Sequence, residues 1–172
     1  MNRTDFFAEI WNQYIKMTPQ AKRIQALFRA RGENVVNDHV AFRTFDIEGF
    51  DLDRATELLA AIGYESFDHY TFPDKHLRAT AYCVSGDPSA PKIFFSELIR
   101  SELDADAQAI ICAVTSSLTG ELTLSDLKGY YPFHKPTLKQ YQTLVEASEY
   151  AGWLSTMGYH CLLYTSPSPR EA

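Results

Sequence analysis

The sequence predicts an α+β domain, on three observations. Apolar residues recur at helical spacing at both ends of the chain, they alternate in twos through its middle, and one helical segment interrupts that middle. The predicted order is two helices, then strand-helix-strand-strand-strand, then more helices. No internal repeat and no linker composition divides it, so a single mixed domain is expected.

Each element has its own signals. "TDFFAEIWNQYIKM" offers Thr4 as an N-cap and sets Phe7, Ile10, Trp11 and Tyr14 on one helical face. "TPQAKRIQALFRARG" follows, with Thr18 as cap, Pro19 in the first turn, a stripe of Ala21, Ile24, Leu27 and Phe28, and Gly32 as the stop. A strand runs from about Val35 to Phe45. "DLDRATELLAAIGY" is a third helix capped by Asp51, with Leu52, Ala55, Leu58, Leu59 and Ile62 inward and Gly63 closing it. "YESFDHYTF" and "LRATAYCVS" alternate around "PDK" and predict a hairpin, and "KIFFSEL" a further strand. "DADAQAIICAVTSSL" is helical, and "PTLKQYQTLVEASEYAGWLSTMGY" is expected as one long helix.

Composition limits the function classes. The chain has 172 residues, is 45% hydrophobic and carries a formal net charge of −6, which suits a folded domain and disfavours nucleic acid or an anionic membrane as the main partner. No apolar run approaches the length of a membrane helix. "MNRTDFFAEIW" mixes acidic residues with apolar ones and has no small-residue cleavage site, so a cytoplasmic protein is expected. Cys83, Cys112 and Cys161 lack metal spacing, and their odd number argues against a disulfide framework.

The C-terminal stretch "CLLYTSPSPREA" breaks the pattern, with prolines, serines and threonines and no helical or strand period. Read back into codons, Cys161–Arg170 match the translation of a transposon-type DNA-sequencing adaptor residue for residue. The expectation is that residues 1–160 are natural sequence, the N-terminal part of a longer protein, and that 161–172 are an artefactual tail to be left out of fold reasoning.

The most informative stretch is "VVNDHVAFRTF". Strand side chains alternate, so His39, Ala41, Arg43 and Phe45 share one face and Asp38, Val40, Phe42 and Thr44 the other. A face reading His-small-Arg is polar where a plain core strand would be apolar, and such exceptions mark sites. Two plainer readings stand beside this one. His39 could be a core histidine bonded to a carbonyl, and Arg43 could pair with Asp38, Asp46 or a helix acid.

Strand, helix and three further strands make up the βαβββ module of the vicinal-oxygen-chelate fold. The stretches "VVNDHVAFRTF", "KIFFSEL" and "SEYAGWLSTMGY", in that order, resemble the bacterial 2-oxoadipate dioxygenase/decarboxylase family from about Asp5 to Tyr159. The resemblance implies a truncated vicinal-oxygen-chelate-like half-module with flanking N- and C-terminal helices. It implies Fe(II) held by two histidines and one carboxylate, with His39 the first ligand and Arg43 a binder of substrate carboxylate. The second histidine, from an "NHFT"-type stretch after the block that ends here at "GYH", and the glutamate are expected in the missing C-terminal half. The implied reaction takes a small 2-oxo dicarboxylic acid and O2: 2-oxoadipate loses CO2, is hydroxylated and gives 2-hydroxyglutarate, a step of lysine catabolism.

Arginine suits the far carboxylate, because its planar fork meets a carboxylate through two parallel hydrogen bonds. It could instead clamp the carboxylate beside the metal. Glu97 of "FFSEL" is a further site candidate, since related folds place a carboxylate on that last strand. Asp38, on the face opposite His39, is expected to be structural. His69, His76 and His134 are expected at the surface, and Tyr130, Tyr131 and Phe133 form a packing lid or a pocket wall. Ser96 and Cys83 have no base at motif spacing. Alternative functions are a non-catalytic small-ligand-binding module of the same fold and a metal-dependent isomerase or lyase. The truncated chain alone is expected to be inactive.

Overall fold

The computed structural model describes residues 1–33 and 38–164. It contains helices α1 (Arg3–Met17) and α2 (Pro19–Ala30), strand β1 (His39–Phe45), helix α3 (Leu52–Ala60), strands β2 (Glu65–Phe72), β3 (Leu77–Cys83) and β4 (Lys92–Leu98), helices α4 (Ala105–Thr115), α5 (Leu138–Ala147) and α6 (Glu149–Met157), and strand β5 (Leu162–Tyr164). The strands form one sheet in the order β2-β3-β4-β1-β5. β1 runs parallel to β4, while β4, β3 and β2 are successively antiparallel. This is the expected βαβββ arrangement, with α3 as the crossover and the 3-10 turn Pro73–Lys75 joining the hairpin. The first residues of the expected strand, Val35–Asn37, lie outside the described residues.

Local chemistry starts the helices. Asn2, rather than Thr4, caps α1 by accepting from the Asp5 N–H, and Asp51 caps α3 by accepting from the Arg54 N–H at 3.0 Å. Asp104 does the same for α4. One face of the sheet buries Val40, Phe42, Thr44, Ile93 and Phe95. Phe6 of α1 packs on Phe42 with ring centroids 6.3 Å apart, and Ala55 and Leu59 of α3 join the same core.

Two expectations change. The apolar stripe of α2 is not part of the core: α2 packs against α1 and has no buried residue, and Ile24 and Leu27 are 49% and 67% exposed. The single long C-terminal helix is two helices. Ser148 adopts an extended conformation (φ −163°, ψ 118°) and caps α6 by accepting from the Ala151 N–H. That break turns α6 away from the line of α5 and lays it on the sheet. Within the stretch expected to be an artefactual tail, Leu162–Tyr164 pair antiparallel with His39–Ala41 along the edge of β1; residues 165–172 lie outside the described residues. No helix among the described residues is long and apolar enough to cross a membrane.

The seat of α6 depends on Gly152. A methyl group there would collide with Val145 of α5, whose Cα would lie 3.3 Å away. Gly152→Ala is therefore expected to cost about 1–3 kcal/mol through overpacking, read as a lower thermal midpoint, and to disturb α6 before it disturbs the sheet.

Candidate active site

The face of the sheet opposite α1 and α3 is hollow. Register sets His39 beside Lys92, Ala41 beside Phe94 and Arg43 beside Ser96 on the parallel β1–β4 pair. β3 adds Ala81 opposite Phe94 and Ala79 opposite Ser96, and small residues leave room where larger ones would fill the cup. The resulting cleft has a volume of ≈ 630 Å³ and is lined by His39, Ala41 and Arg43 at one side, with Tyr70 and Phe72 of β2 at the other. The strand alternation read from "HVAFRTF" thus holds for His39, Ala41 and Arg43, which are half-buried while Val40, Phe42 and Thr44 are buried.

The cleft is basic although the chain is acidic. Arg43, Lys75 and Lys92 line it, and Asp38, the one carboxylate among the described residues of its lining, is engaged by a histidine. Asp38 Oδ2 lies 3.0 Å from Nδ1 of His39. This corrects the placement of Asp38 on the opposite face. Asp38 precedes β1, so strand alternation does not bind it, and its short side chain turns to the neighbouring ring. A carboxylate at Nδ1 holds the proton there and directs the ring lone pair through Nε2, the arrangement common among metal-binding histidines.

Arg43 is held by aromatic rings. Its guanidinium carbon lies 5.1 Å from the ring centroid of Tyr150 and 4.5 Å from that of Trp153, both on α6. Neither expected acid pairs with it: Asp38 binds His39, and Asp46 binds Arg100 at 2.6 Å. Among the described residues Arg43 has no salt bridge. The Tyr150 hydroxyl sits between β1 and β4, donating to the Ser96 carbonyl at 2.6 Å and accepting from the Thr44 N–H at 3.1 Å. Burial pushes this hydroxyl's pKa up, although its Ser96 and Thr44 contacts and Arg43 pull the other way.

Glu97 is placed elsewhere. It registers with Thr44 on the core face of β4, fully buried, and accepts from the Leu52 N–H of α3 at 2.8 Å and from Arg78. The expected site carboxylate is therefore a tether for the first turn of α3. Burial raises its pKa above the usual glutamate value, against the lowering effects of Leu52 and Arg78.

Of the remaining candidates, the histidines fall outside the cleft. His69 bonds Thr80, His76 pairs with Glu102 at the hairpin tip, and His134 is exposed. Phe133 packs between Phe45 and Tyr159, so the aromatic run is a packing lid. Ser96 does line the cleft, with its hydroxyl 3.1 Å from that of Tyr150, while Cys83 lies apart from it. Among the described residues no three His, Cys, Asp or Glu side chains gather as a metal site. His39 offers one donor of the right type, so the described residues alone do not fit a complete iron centre. Sequence reasoning missed Lys92, Tyr150 and Trp153. Alternation in "KIFFSEL" puts Lys92, Phe94 and Ser96 on one face and could have found the first; the aromatic pair becomes visible only once α6 is folded onto β1.

The βαβββ sheet expected from the sequence thus carries, on its open face, a basic cleft with a carboxylate-supported histidine. The family model for 2-oxoadipate dioxygenase/decarboxylase matches residues 5–127, and the chain belongs to that family. It is 33% identical over 159 residues to the 2-oxoadipate dioxygenase/decarboxylase of Oryza sativa, covering 85% of this chain and 44% of that protein. Among solved structures, the hydroxyglutarate synthase of Oryza sativa in complex with 2-oxoadipate superposes with a TM-score of 0.78 at 28% identity, covering 91% of this chain and 55% of that one. A protein of Shewanella frigidimarina named as a candidate hydrolase superposes with a TM-score of 0.81 at 32% identity, covering 92% and 62%. The chain spans less than half the length of the curated relatives it matches.

Proposed function

We propose that this chain forms one half of a 2-oxoadipate dioxygenase/decarboxylase, and that the cleft over β1 and β4 holds the substrate. The reaction proposed is 2-oxoadipate plus O2 to 2-hydroxyglutarate plus CO2, which balances in atoms and fits a step of lysine catabolism. The observation that carries the reading is the sharing of one open sheet face by His39 and an Arg43 whose hydrogen-bond donors are spent on no carboxylate among the described residues. Family membership and the basic lining of the cleft support it. In the reading, Arg43 takes the distal carboxylate through two parallel hydrogen bonds, and His39 supplies one of the donors for Fe(II). The remaining donors come from sequence that the longer relatives have beyond the matched half.

A test of Arg43 compares two substrates in the longer enzyme. 2-Oxohexanoate has the same six-carbon skeleton as 2-oxoadipate with a methyl group in place of the distal carboxylate. Arg43→Ala is expected to lower kcat/KM for 2-oxoadipate about a hundredfold, the effect of truncating one member of a desolvated charge pair, and to leave that for 2-oxohexanoate nearly unchanged. Equal losses for both would overturn the assignment of the distal carboxylate to Arg43. The 172-residue chain alone, supplied with Fe(II) and 2-oxoadipate, is expected to consume no oxygen in an oxygen electrode. Sustained uptake would contradict the division of the metal donors between two halves.

A further inference from the structure

The contacts of Arg43 raise the question of why α6 carries two aromatic rings to it. Tyr150 and Trp153 are three residues apart, so both project from one side of α6. The bent entry at Ser148 and the close approach at Gly152 bring that side onto β1. The Tyr150 hydroxyl fixes the helix by bonding the backbones of both β1 and β4. The guanidinium then lies against the ring faces, 4.5 Å from the Trp153 centroid. A ring face attracts the cation without using its N–H donors, which lie in the guanidinium plane. A carboxylate neighbour would have consumed those donors; an aromatic one leaves them for a ligand.

We propose that Tyr150 and Trp153 are positioning residues: they hold the Arg43 guanidinium by its faces so that its in-plane N–H edge is presented to the distal carboxylate of a 2-oxo diacid. The ligand clause rests on the functional reading above; the cradle itself does not. An arginine on an open strand would otherwise sample many rotamers, each of which must be given up on binding. The cradle removes that cost before the substrate arrives. It also makes the position specific for arginine, since an ammonium group has no plane to stack.

The test has two arms. In the 172-residue chain, labelled with nitrogen-15, the Arg43 Nε–H proton is expected upfield of the other arginine signals because of the ring currents. Trp153→Leu should return it to the common range, and Trp153→Phe should keep most of the displacement. Trp153 is half-buried rather than core, and unchanged amide dispersion would show that the variants fold. In the longer enzyme, Trp153→Leu is expected to lower kcat/KM about tenfold for 2-oxoadipate, within the range of a desolvated cation–π contact. The loss should appear as a raised KM, should spare 2-oxohexanoate, and should be largely rescued in Trp153→Phe. An unshifted native Nε–H signal, or a shift that survives Trp153→Leu, would overturn the cradle. If Arg43→Ala discriminates the two substrates and Trp153→Leu does not, the positioning inference fails while the assignment of Arg43 stands. If Arg43→Ala itself does not discriminate, the functional reading fails, and with it the ligand clause of the proposal.

Discussion

His39→Ala in the longer enzyme is expected to abolish turnover of 2-oxoadipate, with no recovery at raised Fe(II). Among the described residues His39 is the one imidazole lining the cleft, and Asp38 holds its Nδ1 at 3.0 Å. In the proposed reading the ring is a metal donor, and no group of metal-binding side chains gathers among the described residues to take its place. The Asp38 contact gives a graded companion. Asp38→Ala keeps the imidazole and removes the group that sets its tautomer and orientation, so activity or metal affinity should fall about 10–100-fold, the usual effect of losing such a support. Asp38→Asn should fall between native and alanine, because an amide can orient the ring without the charge. If His39→Ala retained activity, His39 would be a structural histidine.

The second large effect concerns stability. Glu97→Ala is expected to cost about 3 kcal/mol. The buried Leu52 N–H would lose its acceptor, and Arg78 would lose its partner. For a domain of this size that is a fall in Tm of about 6–12 °C. The half-exposed Arg78 side chain can turn to water, which keeps the cost below that of a wholly buried pair. Glu97→Gln keeps an acceptor for Leu52 and should cost less.

The pH dependence separates charge from packing. The folded pKa of Glu97 is raised above its unfolded value, so between those values the folded chain holds a proton that the unfolded chain has released. Over that window, from the ordinary glutamate value upward, stability falls as pH rises. Denaturant melts of Glu97→Gln should lack this component. An identical slope in native protein and Glu97→Gln would show that Glu97 does not titrate differently on folding.

What the sequence discloses and what it hides follow from how local each decision is. Alternation alone separates His39, Ala41 and Arg43 from Val40, Phe42 and Thr44, because a strand with one buried face must obey the period of two. The same rule in "KIFFSEL" groups Glu97 with Ile93 and Phe95, two core residues. Its placement away from the cleft was therefore legible, and the analogy to other folds obscured it. Asp38 was misplaced because alternation was carried past the end of the strand. The break at Ser148 was hidden because serine is tolerated inside helices as well as at caps. What decides it is tertiary: α6 must turn to set the Tyr150 hydroxyl over the β1 and β4 backbones. The stripe of α2 shows the converse, a regular amphipathic pattern whose partner is not among the described residues. The cradle around Arg43 combines residues more than a hundred positions apart, and nothing short of the folded topology brings them together.

The most direct test of the central claim is a coupled measurement on the longer enzyme supplied with 2-oxoadipate, Fe(II) and O2. Oxygen uptake, CO2 release and 2-hydroxyglutarate formation are predicted in equal amounts, and all three should vanish together in His39→Ala. Binding of 2-oxoadipate without oxygen consumption, or equal turnover in His39→Ala, would contradict the account.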